Sequence, residues 1–286
     1  MEHFEGRVAV ITGAASGFGR AFAQKGAELG MKLVLADIDG AALADVVGSL
    51  SAAGADAIGV PTDVSDGAAV EALARRALDA YGKVHLLFNN AGVGASGFVW
   101  EMSANDWSWI LGVNVMGVAH GVRVFTPIML AQDEPAHIVN TASVAGLISP
   151  PAMGVYNASK HAVVALTETL HHDLRRTGAP VGCSLLCPAF APTGIAEAER
   201  VRPERWRNEA APSASQLLAG RQLRKAVRSG RLSAADIAEA TFDAIRANRF
   251  YVVTHPAIMT SVRMRHEDIE LLRAPSDPSV GADGAA

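Results

Sequence analysis

The sequence predicts an α/β fold, a doubly wound parallel sheet of seven strands with helices on both faces. Three observations predict it. Short β-branched and aliphatic runs alternate with longer amphipathic segments along the chain, the pattern of a parallel sheet crossed over by helices. Several runs are apolar at successive positions, as strands buried on both faces are. The first run, ending at Ile11, leads through a glycine-rich turn directly into a helical segment.

The first strand is expected at Arg7 to Ile11 and the second at Lys32 to Ala36, each aliphatic after its first residue. The remaining runs are Ala57 to Pro61, Val84 to Phe88, His137 to Thr141, Val181 to Leu186 and Tyr251 to Val253. Helical periodicity fills the intervals at Phe18 to Leu29, Ala41 to Ala53, Gly67 to Tyr81, Ala104 to Leu130, Val155 to Arg176 and Ala234 to Ala247. Each crossover is expected to be right-handed. From Phe190 to about Ser233 the periodicity weakens, and Pro192, Pro203 and Pro212 interrupt a stretch rich in Arg, Glu and Ala. A mobile excursion over the site is expected at 190–233. Ala274 to Ala286 is poor in large apolar groups, so a frayed tail follows. With no repeat and no linker between two cores, residues 1–273 read as one domain.

Composition narrows the function. The chain has 286 residues, of which 50% are hydrophobic and 19% charged, enough to bury a substantial core. Its net charge of -4 offers no basic surplus for nucleic acid or an acidic membrane, so small molecules are the expected partners. The only cysteines, Cys183 and Cys187, share one face of a strand and read as buried thiols. No metal site is expected. The first residues lack the apolar core of a signal peptide, and no uninterrupted apolar stretch reaches the length of a membrane span. A soluble cytoplasmic protein is the expectation.

The turn after the first strand reads Thr12 Gly13 Ala14 Ala15 Ser16 Gly17 Phe18 Gly19. Strand, glycine turn and helix in this order suit a dinucleotide pyrophosphate, as in Rossmann-type folds. Gly13 permits the tight turn, Gly17 admits the phosphates to the backbone, and Gly19 lets helix and strand lie close. Ser16 and Phe18 share this turn as candidate contacts. The second run ends at Asp37, about 20 residues on, where a carboxylate accepts from both ribose hydroxyls. It would repel a 2′-phosphate, so NAD is expected over NADP. The alternative reading of Asp37 is a turn residue, since Asp39 and Gly40 follow. Asp63 and Val64 close the third strand, with Asp63 either reaching the adenine amino group or starting a turn. Asn90, Ala91 and Gly92 bring an amide and two small residues to the carboxyl edge of the sheet, where ligands of open α/β folds sit.

Tyr156 and Lys160 stand four apart in Tyr156 Asn157 Ala158 Ser159 Lys160 and share one helix face. Ser143 ends the fifth run, which puts its hydroxyl at the same sheet edge. Taken together, these motifs resemble the single-domain branch of the short-chain dehydrogenase/reductase family over nearly the whole chain up to the tail. The resemblance implies that Tyr156 exchanges a proton with an alcohol or ketone, Ser143 orients the substrate oxygen, and Lys160 binds the nicotinamide ribose. It also implies that Asn114 holds water in a proton relay to the lysine; the alternative is a helix Asn bonded to its own backbone. Pro188 and Thr193 match the segment that bonds the nicotinamide carboxamide, with Ala189 standing where the family usually has Gly.

On electrostatic grounds Lys160 is the expected perturbing group for the phenol. A charge about 4 Å away at an effective dielectric near 20 contributes about 4 kcal/mol, roughly what lowers a phenol from 10 to 7. Beside Ser143 as a substrate contact, the candidate pocket walls are Ala145, Met153, Phe190 and Trp206, an apolar set that suggests a bulky or aromatic secondary alcohol. His171 His172 Asp173 read as a solvated helix end, and Trp107 and Trp109 as packing residues. Val115, Val118, Val122 and Phe125 add apolar surface to the long fourth helix, and association through it is expected. The resemblance implies a homodimer or homotetramer. Two rivals stand beside the dehydrogenase reading. A nucleotide-sensing regulator needs no Ser143, Tyr156 and Lys160 together, and an epimerase or dehydratase usually has a longer C-terminal part and different glycine spacing.

Overall fold

A computed structural model of the chain describes residue 1 and residues 3–278. Seven strands form one parallel sheet: β1 (Val8–Thr12), β2 (Lys32–Asp37), β3 (Ala57–Pro61), β4 (Leu86–Asn89), β5 (Ala136–Thr141), β6 (Val181–Cys187) and β7 (Tyr251–Val253). Their order is β3-β2-β1-β4-β5-β6-β7. The chain reverses direction across the sheet between β1 and β4, and a ligand cleft opens at such a switch point. The strand register sets Thr12 beside Ala36, and Asn89 beside Asn140.

The helices are α1 (Gly17–Glu28), α2 (Gly40–Ala52), α3 (Gly67–Tyr81), α4 (Ala104–Leu111), α5 (Gly117–Ala131), α6 (Gly154–Thr177), α7 (Ala214–Arg228), α8 (Ala234–Arg246) and α9 (Met259–Glu270). One face of the sheet packs on α1, α2 and α8, where Phe22 stacks on Phe88 at 4.6 Å and Phe88 meets Phe242 at 5.6 Å. The other face packs on α3, α5 and α6 through residues such as Val70, Leu73, Phe125, Met129 and Leu170. Both faces of β1, β4 and β5 are therefore dry, which explains their uninterrupted apolar runs.

Three differences from the sequence reading have physical causes. The helix expected over Ala104 to Leu130 is broken at Gly112–Met116 into a π-turn centred on Asn114. Such turns insert one residue into a helix and occur often at functional sites. Residues Ala104–Ala131 together are long and apolar enough to cross a membrane by length and composition. In this fold, however, Trp109, Ile110, Val118, Phe125 and Met129 are buried in the core. Val118 and Phe125 are thus spent inside the chain and are withdrawn from the surface expected to drive association.

The stretch 190–233 is not irregular throughout. It contains 3₁₀ segments at Gly194–Val201 and Glu204–Trp206, followed by α7. α7 starts at a capping box in which Ser213 and Gln216 satisfy each other's backbone N–H. Of the expected tail, residues 279–286 lie outside the described residues. The described part folds back: Ser276 N–H donates to Asp268 at 2.8 Å, and Ser261 Oγ donates to Pro278 O at 3.5 Å.

Candidate active site

The glycine turn is compelled by sterics. A Cβ on Gly19 would stand 2.0 Å from the Gly13 carbonyl oxygen, so α1 can pack this close to β1 only with glycine there. Gly17 has φ of +52°, and the side chain of Thr193 lies 3.4 Å from the place its Cβ would take. Ser16 caps α1 without a side-chain hydrogen bond, which leaves the first-turn N–H groups facing the cleft with the positive end of the helix dipole. Asn90 ties this turn to the end of β4: its side chain donates to Thr12 O at 2.9 Å, and its backbone N–H donates to Thr12 Oγ1 at 2.9 Å.

Asp37 accepts from Ala15 N–H at 2.9 Å and from Asp39 N–H at 3.0 Å. Asp37 thus has the turn role and also lines the cavity. Asp63 accepts from both the backbone and the hydroxyl of Ser65 and from Arg205 at 2.6 Å. These three hydrogen bonds outweigh burial and hold its carboxyl below the ordinary range.

At the other end of the cavity, of about 480 Å³, lie Ser143, Tyr156 and Lys160. Tyr156 and Lys160 rise from one face of α6, and Ser143 caps the short 3₁₀ turn after β5. Burial pushes the Tyr156 phenol up to about 12, while its hydrogen bond with the Ser143 side chain pulls the other way. Burial brings Lys160 down to about 8. Lys160 Nζ donates to Thr141 O at 2.9 Å and lies 5.6 Å from the centre of the Tyr156 ring. The expectation that Lys160 dominates the phenol is corrected: burial is the larger effect.

Asn114 does not line the cavity. Its side chain accepts from Val93 N–H at 2.9 Å and donates to Val93 O and Ser159 Oγ, each at 3.0 Å. It fastens the loop following Gly92 to α6, and the alternative of a helix Asn bonded to its own backbone is not the bond it makes. Pro188 O accepts from Val144 N–H at 3.0 Å and from Ser143 Oγ at 3.4 Å. Ala189 N–H donates to His255 Nδ1 at 3.3 Å. The loop that carries Ala189 in place of Gly is therefore pinned from both sides.

Gly13, Ser16, Gly17, Phe18, Asp37, Asp63, Val64, Asn90, Ala91, Gly92, Pro188 and Thr193 all line this one cavity, as do Ala145, Met153 and Phe190. Gly19 lies beneath the turn. Trp206 is not in the wall: it lies against Gly112, with Arg205 stacked on its ring at 4.1 Å. Trp109, read from the sequence as a packing residue, is both fully buried and part of the wall.

Several residues that shape the site went unnoticed in the sequence. Arg200 reaches Asp39 at 2.9 Å beside the end of β2. Arg202 is buried against Asp106 of α4 at 2.8 Å, stacks over Trp109 at 4.7 Å and donates to Trp206 O. These arginines clip the 194–206 segment over the cleft. Leu223, Val227, Ile258 and Pro278 complete the wall. Their signal was available for α7 alone, where Ala219, Leu223 and Val227 recur at helical spacing amid arginines.

A family model described as short chain dehydrogenase matches residues 7–204. The chain belongs to the short-chain dehydrogenase family. Among its relatives is a CLA biosynthesis dehydrogenase/reductase of Lactiplantibacillus plantarum, 37% identical over 258 residues, covering 90% of each chain. A C alpha-dehydrogenase of Sphingobium sp. is 31% identical over 281 residues, covering 97% of this chain and 90% of the relative. The crystal structure of a short-chain dehydrogenase/reductase from Burkholderia phymatum in complex with NAD is 73% identical, with a TM-score of 0.96 over 97% of this chain and 99% of the other. The Tyr156 and Lys160 pair of this short-chain dehydrogenase thus shares one cavity with its glycine turn, and the chain is an oxidoreductase by family.

Proposed function

We propose that this chain transfers a hydride between NAD(H) and a secondary alcohol or ketone, with Tyr156 as general acid/base. The observation that carries the reading is the convergence of three groups: the buried phenol, the Ser143 hydroxyl on it and the Lys160 ammonium, in a cavity continuous with the glycine turn. NAD as cofactor is supported by the Burkholderia phymatum relative that is bound to it and by Asp37 at the ribose end. The cleft fits a dinucleotide on its own terms, because a Cβ on Gly13 or Gly19 would collide with backbone and the uncapped N-terminus of α1 faces inward.

When bound, nicotinamide supplies the hydride acceptor or donor. The rest of the chemistry belongs to the side chains. In reduction, Tyr156 donates its phenolic proton to the carbonyl oxygen as that oxygen gains charge, and Ser143 steadies both oxygens by hydrogen bonding. In oxidation, Tyr156 takes the alcohol proton back. Lys160 is held beside the phenol by its bond to Thr141 O and supplies positive charge that favours the phenolate as it forms. The segment clipped by Arg200, Arg202 and Arg205 lines the cavity through Ile195, Ala198 and Val201.

The apolar wall supports a bulky or aromatic substrate. The relatives' printed names, a CLA biosynthesis dehydrogenase/reductase and a C alpha-dehydrogenase, support hydride-transfer chemistry. Absorbance at the reduced-nicotinamide band, followed with a panel of neutral secondary alcohols and ketones, tests the proposal. Turnover of apolar members is expected. Binding of NAD with no turnover of any member would instead favour a nucleotide sensor.

A further inference from the structure

The wall of the cavity remote from the glycine turn is apolar, with Ile148, Met153, Ile195, Leu223, Val227 and Ile258 lining it. Among the described residues the only lining carboxylates are Asp37 and Asp63, which end β2 and follow β3 at the opposite, ribose end. Helix α7 contributes Leu223 and Val227 to this wall. The same helix carries Arg221, Arg224, Lys225 and Arg228, which together with Ser229 line a shallow depression on its outer side. Their spacing of three, four and seven gathers them into one stripe.

This stripe is uncompensated. Among the described residues none of the four takes part in an ion pair, although the chain as a whole carries a net charge of -4. The carboxylate at the start of α7, Glu101, is taken up by the hydroxyls of Ser213 and Ser215. Lys225 and Arg228 suit the C-terminal end of a helix dipole, but Arg221 and Arg224 lie earlier. Like charges three and four apart destabilise a helix, so helix stability does not explain them. The Nη1 of Arg224 and the Oγ of Ser96 lie 3.6 and 3.8 Å from the place a Cβ on Gly220 would take, which puts this end of the stripe on the side of α7 that meets the loop whose Gly94 lines the cavity.

We infer that α7 selects an anionic amphiphile. The apolar wall takes the hydrocarbon body of a hydroxy or oxo carboxylic acid, and the arginine stripe seats its carboxylate at the solvent end. Seating the anion outside avoids the heavy cost of burying a charge among apolar side chains, and the stripe's field also steers anions to the mouth. The inference rests on the oxidoreductase reading above and adds the substrate's charge and its orientation.

Decanoate and methyl decanoate, the same chain with and without a charge, serve as probes. Each is measured as an inhibitor of oxidation of a neutral secondary alcohol by the full chain with NAD, and its binding is followed by calorimetry. The acid is expected to inhibit about tenfold more tightly than the ester, a gap that narrows at about 0.5 M salt. In the variant Arg221→Gln, Arg224→Gln, Arg228→Gln the ratio of ester to acid inhibition constants should fall toward one, and lysine at the same three positions should restore it. Equal inhibition by acid and ester, or a ratio unmoved by the glutamine variant, overturns the inference. Failure of the oxidoreductase reading shows differently, as charge-dependent decanoate binding by a chain that oxidises no alcohol.

Discussion

Lys160 donates its ammonium to the carbonyl of Thr141 at 2.9 Å and stands 5.6 Å from the ring of Tyr156. Its charge is directed past the phenol, at the backbone edge of β5. At that distance and an effective dielectric near 20, a full charge contributes about 3 kcal/mol, and burial weakens even that by drawing Lys160 toward about 8. Burial prevails and holds the phenol near 12, in the protonated form that serves ketone reduction.

A pH dependence with opposite senses in the two directions follows. Below pH 8 the phenol is protonated, so reduction should be flat from about pH 6 to 7.5 and should decline as Lys160 loses its charge above about 8. Oxidation needs the phenol to give up its proton, so its kcat/KM should rise with pH over the same range, by up to about tenfold per unit. Steady-state kinetics in both directions check this. Reduction that climbs with pH would contradict it.

Replacing Asp37 should alter cofactor choice. Asp37→Ala removes the carboxylate that accepts from Ala15 N–H and would repel a 2′-phosphate. NAD should bind about tenfold or more weakly, and the preference over NADP should shrink. Titrations with both dinucleotides measure it. An unchanged preference would leave Asp37 with the turn role alone.

The buried pair Arg202 and Asp106 holds the segment over the cleft. Arg202→Met strands a carboxylate that is 4% exposed, and losing one partner of such a pair costs about 3–5 kcal/mol. Adding Asp106→Asn should recover part of that. Chemical denaturation of the single and double variants reads the difference, and a single variant as stable as the parent would show that the pair does not hold this segment.

Acid should weaken the fold through His137. Burial between β4 and β6 depresses its imidazole to about 3, and its Nε2 is paired with Ser184 Oγ at 2.8 Å. The folded chain keeps this ring neutral, whereas the unfolded chain protonates it below about 6.5. Stability therefore falls as pH drops from 6.5 toward 3, by about 2–3 kcal/mol from this residue at pH 4.5. Urea denaturation at pH 7 and 4.5, with NMR titration of the ring, tests it. A ring that protonates near 6.5 in the folded protein would contradict it.

Much of this was legible in the sequence because the relevant physics is local. Apolar runs such as VAVIT and LLFN mark doubly buried strands. The glycines before α1 mark a backbone that tolerates no Cβ, and Tyr156 and Lys160 share a face by helix geometry alone. What stayed hidden depends on contacts far apart in sequence. The π-turn at Asn114 follows from bonds to Val93 and Ser159, and the burial of Arg202 follows from Asp106. The place of Trp206 is not legible either, because an aromatic residue where periodicity weakens reads as a pocket wall, whereas Gly112 and Arg205 lie against its ring.

The most direct measurement is turnover and NAD affinity of Tyr156→Phe. This change removes one proton and little binding surface from a residue whose ring remains buried. Activity with a neutral secondary alcohol should fall by about 10²–10⁴ or more, with NAD bound within a few-fold of the parent affinity. Turnover that survives the substitution would remove Tyr156 from the chemistry and, with it, the proposed role of the site.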